Sequence, residues 1–149
     1  MEIKDKLIET IEHSKKDVEN GSFVFPELLV ESDKGEKDML VLGFLEEMSK
    51  RGMQLFFVGK KYRSENPGVR IKSVTLTSTV KARDRRKNET YEALMVAQKD
   101  VETGKSFYAM QKFVREGREK NKIKFVGEID YSEEIQTGMI DAFIDGFND

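Results

Sequence analysis

The chain has 149 residues, 38% hydrophobic and 36% charged, with 26 Lys and Arg against 28 Asp and Glu for a net charge of −2. One domain of that length can bury a core, which excludes a wholly disordered chain. With no cysteine and the single histidine His13, disulfides, thiol nucleophiles, Cys-bound zinc, iron–sulfur clusters and two-histidine metal motifs within one chain are all excluded.

Residues 1–19 have a helical repeat, with Ile3, Leu7, Ile8, Ile11 and Val18 on one stripe and Asn20-Gly21 as a stop. Residues 23–31 (FVFPELLVE) suit a short strand, which Pro26 confines to an edge or a bulge. Residues 32–36 form a turn. The spacing of Val41, Phe44, Leu45 and Met48 predicts a second helix over 37–51, although the run Met39-Leu40-Val41-Leu42 also suits a buried strand. Gly52 ends that helix, and 53–62 (MQLFFVGKKY) follows as a strand.

After an Asn-Pro-Gly loop, 69–83 forms a long strand with Thr75, Thr77, Thr79, Lys81 and Arg83 on one face. Val69 and Ile71 break its parity, so a bulge is expected near Ser73. Residues 90–99 and 106–115 form a hairpin turning at Gly104, and 122–131 alternates as a further strand. A last helix covers 132–147, capped by Ser132 and striped by Ile135, Met139, Ile140, Phe143, Ile144 and Phe147. Together these describe a single α+β domain over 1–149. Its mainly antiparallel sheet has five to six strands, with the N-terminal, middle and C-terminal helices packed on one face.

Charge is unevenly distributed. Residues 1–58 carry 8 basic and 13 acidic side chains, 59–88 carry 10 and 2, and 89–149 carry 8 and 13. Seven carboxylates and no Lys or Arg occupy 127–149. Within the basic stretch, Lys60, Lys61, Arg63, Lys81, Arg83, Arg85, Arg86 and Lys87 are candidate polyanion contacts, with Tyr62 available to stack a base. The net negative charge and the lack of an RNP-like pattern, a zinc finger or a basic helix count against nucleic acid.

Other motifs carry less weight. The Gly104-Lys105-Ser106 triplet lacks the upstream glycine of a phosphate loop and lies between strands. His13 lies off its helix's apolar stripe and is expected to face water. Asp141, Asp145 and Asp149 recur at one-turn spacing, expected as a solvent face whose position at a helix C-terminus favours a cationic neighbour. The adjacent pairs Phe56/Phe57 and Phe107/Tyr108 place aromatic area on both sides of a sheet. An apolar far side would serve as an interface through Tyr91, Met95, Phe107 and Tyr108.

No catalytic constellation, metal set or cofactor motif emerges. No apolar run reaches the ~20 residues of a membrane helix, and the N-terminus lacks the apolar core of a secretory signal. The expectation is a small cytoplasmic interaction or ligand-binding domain that self-associates as a homodimer. Its partners would be a second copy, another protein or an anionic ligand, with no membrane. Polyanion binding through 60–87 is the alternative. A third reading is an enzyme using carboxylates and lysines such as Glu92, Glu128 or Asp130.

Overall fold

The computed structural model describes residues 2–20, 26–42, 48–84, 86–118, 122–133 and 138–149; the side chains of 48–51 and 82 also lie outside the description. The expected strand start at 23–25, and Phe44, Leu45, Arg85 and Ile135, fall outside the described residues.

Helix α1 (Ile3–Glu19) buries Leu7, Ile11 and Val18. Strands β1 (Glu27–Ser32) and β2 (Lys37–Val41) form a tight antiparallel pair. Of the two readings of Met39-Leu40-Val41-Leu42 the strand is realised, since Leu40 lies opposite Leu28 of β1.

Helix α2 (Met48–Glu65) replaces the strand expected over 53–62. The apolar run Leu55-Phe56-Phe57-Val58 mimics a strand. The burial is helical, however, with Leu55, Gly59 and Tyr62 inside and Met53 and Phe57 outside. Gly52 lies within the helix rather than ending it.

Four long strands follow: β3 (Ile71–Asp84), β4 (Glu89–Asp100), β5 (Ser106–Glu116) and β6 (Lys122–Glu133). They complete a six-stranded sheet in the order β2-β1-β3-β4-β5-β6, and every pairing is antiparallel. The bulge expected near Ser73 is present. Glu31 pairs with Ser73 but Ser32 pairs with Ile71, so Lys72 is the extra residue. Helix α3 (Gly138–Asn148) starts later than expected. Ser132 pairs with Tyr108 inside β6 and so does not cap the helix.

The helices do not share one face of the sheet. Neighbouring residues on a strand face opposite ways, and β4 separates two cores. Ala97 packs on the front with Leu28, Val30, Val74 and Leu76 against Leu55, Tyr62, Ile140, Phe143 and Phe147 of α2 and α3. Leu94 and Val96 pack on the back with Phe107 and Ala109 against Leu7 and Ile11 of α1. A sheet apolar on both sides over β4 and β5 needs a cover on each, and α1 supplies the second.

α2 and α3 run side by side in the same direction across the front. Gly52, Gly138 and Met139 line one cavity with Thr79, Val80 and Lys81 at one end, while Arg63 and Phe147 line another with Ile71 and Val101 at the other. The two helices touch through their backbones. A methyl group on Gly59 would collide with the Phe143 carbonyl, and one on Gly146 with the Phe56 carbonyl.

Candidate functional site

On the back face, among the described residues, α1 packs chiefly against β4, β5 and β6. Lys4 lies over the Tyr131 ring at 5.6 Å and Lys15 over the Phe125 ring at 5.2 Å, so the helix follows the far half of the sheet. The half formed by β2, β1 and β3, about 14 Å wide at ~4.8 Å per strand, has no helix over it among the described residues. A groove of about 800 Å³ lies along this step, walled by Lys6, Glu9, Thr10 and His13 of α1 and floored by Leu29, Glu31, Thr75 and Gln98. His13 is exposed, as expected, at its rim. The floor's hydroxyls have local partners: Ser73 Oγ donates to Glu31 Oε2 at 3.4 Å and Thr75 Oγ1 to Gln98 Oε1 at 3.3 Å.

The groove opens toward edge strand β2 through Lys37. The Leu42 N–H donates to the Pro26 carbonyl at 2.7 Å and the Ser32 N–H to the Glu36 carbonyl at 2.8 Å. Alternation along an antiparallel ladder therefore turns the even-numbered main-chain groups of β2 toward β1 and those of Lys37, Met39 and Val41 outward. The same three side chains share the back face with Leu29, which lies opposite Met39. Met39 is 54% and Val41 60% exposed. On the front, the Tyr62 hydroxyl donates to Asp38 Oδ2 at 2.6 Å. Burial, that hydrogen bond and the charges of Asp38 and Glu36 hold the Tyr62 hydroxyl well above its ordinary pKa.

The structure divides the basic segment between two ends of β3, roughly 40 Å apart at ~3.3 Å per residue. At the first end Lys60, Lys61 and Arg63 are engaged. Lys60 meets Asp149 at 2.8 Å and Lys61 approaches Glu65 at 3.9 Å. Arg63 donates from Nε to the Phe147 carbonyl at 2.9 Å, and its guanidinium lies 3.8 Å from the Phe147 ring centroid. Tyr62 is buried in the front core and unavailable for stacking. Asp141 likewise meets Lys99 at 2.5 Å, so two of the three recurring aspartates have cationic neighbours within the fold.

At the second end, Lys81, Arg83, Arg86 and Lys87 are exposed around the β3–β4 turn. Arg83 donates to Asn88 Oδ1. Asp84 Oδ1 accepts the backbone N–H groups of Arg86 and Lys87 at 3.0 and 3.4 Å, and both residues are exposed.

The expected interface residues separate. Phe107 is buried on the back against the α1 core. Tyr91, Met95 and Tyr108 lie on the front and are half-buried. Met95 and Tyr108 pack against the α2/α3 core. Burial, then the nearby Asp130 charge, raises the Tyr108 pKa. The acid–base candidates are also apart. Glu92 accepts from Arg115 Nε at 2.7 Å, which raises the Arg115 pKa, and Glu128 and Asp130 are exposed on β6. Among the described residues no three His, Asp or Glu side chains are placed to hold a metal, and no helix is long and apolar enough to cross a membrane.

Sequence reasoning missed Met39, Val41 and Leu29, because the Met39–Leu42 run was weighed only as helix or buried strand. The available signal was the charged turn before β2 and the brevity of the run, both features of an edge strand. No family model, curated protein or solved structure matches this chain.

Proposed function

We propose that the protein is a binding module that pairs with a second copy of itself through β2. One observation carries this reading: Lys37, Met39 and Val41 turn their main-chain groups outward, and the same strand exposes Met39 and Val41 on the half of the sheet that no described helix covers. Both groups would be satisfied by one added strand.

The pairing is self-complementary. Antiparallel alignment about Met39 sets Met39 against its counterpart and Lys37 against Val41. The central row across the junction is then Leu29, Met39, Met39, Leu29. The flanking rows read Glu27, Val41, Lys37, Glu31, since Glu27 pairs with Val41 and Glu31 with Lys37 within each copy. Each lysine thus falls between Glu31 of its own copy and Val41 of the other, with the other copy's Glu27 one strand beyond. Pairing five residues at an edge buries less than the ~1,200 Å² of a standard interface, so micromolar affinity is expected.

The absence of native cysteine makes a single introduced thiol a direct probe. Directly opposite residues in a hydrogen-bonded pair have Cα atoms ~5.5 Å apart, inside the disulfide range. At about 50 μM, a concentration in the expected micromolar range, Met39→Cys should form an intermolecular disulfide under mild oxidation. Met53→Cys, at the 66%-exposed Met53 of α2, serves as the control and should do so much more slowly. Equal rates for the two variants, or a wild-type monomer at that concentration in the ultracentrifuge, would remove the proposal.

A further inference from the structure

A different part of the molecule carries an inference independent of self-pairing. β3 and β5 run in the same direction, so the Asp84/Glu89 end of the β3–β4 pair and the Glu116/Lys122 end of the β5–β6 pair lie side by side at one end of the sheet, about 10 Å apart at two strand spacings. The first hairpin end supplies Lys81, Arg83, Arg86 and Lys87. The second, which lies outside the basic segment of the sequence, supplies Lys112, Arg115, Arg118, Lys122 and Lys124. Together the described residues of 81–92 and 112–124 hold nine cationic side chains against four carboxylates, Asp84, Glu89, Glu92 and Glu116. Glu92 is taken by Arg115, and Asp84 is occupied by the turn backbone. A protein with a net charge of −2 therefore concentrates a local excess of five positive charges at one end.

We infer that this end is a binding site for the phosphodiester backbone of a nucleic acid, read without sequence preference. The register places cations on both sides of the projecting end. Lys81 and Arg83 lie on the back with Thr90 and Glu92, whereas Lys112, Lys122 and Lys124 lie on the front. A flat bilayer meets only the tips of such a wedge, and among the described residues no amphipathic helix lies there to enter the headgroup layer. A polymer with one charge per nucleotide can follow the wedge from face to face. On the front, Lys112 lies over the half-buried Tyr91 ring at 4.4 Å, adding a ring beside the cations. Farther along β3 on the back, Thr75, Thr77 and Thr79 continue the same face as Lys81 and Arg83.

The test is fluorescence anisotropy with a labelled 20-nucleotide oligothymidine and a 20-base-pair duplex, on the full chain. Binding at 50 mM salt is expected. The affinity should fall with a log–log salt slope of about −3 to −5, as roughly five released counterions require. Arg86→Glu/Lys87→Glu and Lys122→Glu/Lys124→Glu should each weaken binding at least tenfold and flatten the slope. Lys60→Glu/Lys61→Glu, at the other end of β3, should change it less than twofold. Circular dichroism checks that each variant folds. Absence of binding to either nucleic acid at 50 mM salt, an equal loss from the Lys60/Lys61 variant, or binding only to phosphatidylserine-containing vesicles or heparin would overturn the inference. The four substituted positions at the hairpin end lie outside β2, so the Met39→Cys crosslink reports separately on self-pairing.

Discussion

The two sides of the sheet are covered by different numbers of helices. On the front, α2 and α3 lie against one another and over the sheet from Leu28 of β1 to Ala97 of β4. On the back, among the described residues, α1 packs over β4 to β6 and no helix lies over β1 to β3, where Leu29 is half-buried and Ser73 and Thr77 are buried. Three strands roofed on one side, with no described helix over the other, leave a floor that the groove beside α1 opens to solvent. The location of the open surface thus follows from helix count and placement rather than from a special sequence motif.

Breaking the front cover should have the largest effect. Gly146→Ala drives a methyl group into the Phe56 backbone and forces the helices apart. We expect a loss of at least about 3 kcal/mol, at the upper end of overpacking costs, outweighing the ~1 kcal/mol of helix propensity that alanine adds. Urea unfolding followed by circular dichroism measures it, and a loss below 1 kcal/mol would contradict the backbone contact. The back cover should be weaker. Ile11 of α1 is fully buried against the sheet, and Ile11→Ala should cost about 2–4 kcal/mol. Hydrogen exchange should then show α1 amides losing protection while those of α3 retain it, which sharpens the distinction between the covers.

The smallest effect concerns the tie between front cover and edge. Tyr62→Phe removes the hydroxyl bond to Asp38, whose carboxylate remains exposed to water, so about 1 kcal/mol is expected. The sign with pH follows from the raised Tyr62 pKa. The folded state holds the proton more tightly than the unfolded chain does. The bond's contribution is therefore complete below about pH 10 and is lost as pH rises above it. Wild-type stability should decline more steeply than that of Tyr62→Phe above pH 10 in parallel urea titrations.

Much of this architecture was legible in the residues. The 90–115 hairpin, the long strand with its irregularity at Ser73 and the α1 stripe all follow from unbroken periodicity. The error at 53–62 came from reading glycine as punctuation. Gly52 and Gly59 both lie inside α2, and Gly59 is there because α3 approaches too closely for a side chain. That requirement is tertiary and invisible in a single local window. The one-face arrangement failed for a related reason: the apolar residues on both sides of β4 signalled two covers, but not which helix supplied the second.

The candidate sites were less legible. Lys60, Lys61 and Arg63 are neighbours of Lys81 and Arg83 only along the chain, whereas Lys122 and Lys124 join the hairpin end through strand pairing. Met39 and Val41 looked like interior residues because composition does not distinguish a strand at the rim of a sheet from one in its middle.

The Tyr62–Asp38 bond has a consequence for β2 itself. A five-residue strand held from one side only would be expected to fray. Fastening Asp38 to a helix that is itself wedged against α3 keeps the rim extended before anything arrives. The entropy of straightening those residues is lost during folding, so under the proposed self-pairing an incoming strand would encounter a template already set, and slackening that peg should slow capture even if every atom at the junction is unchanged.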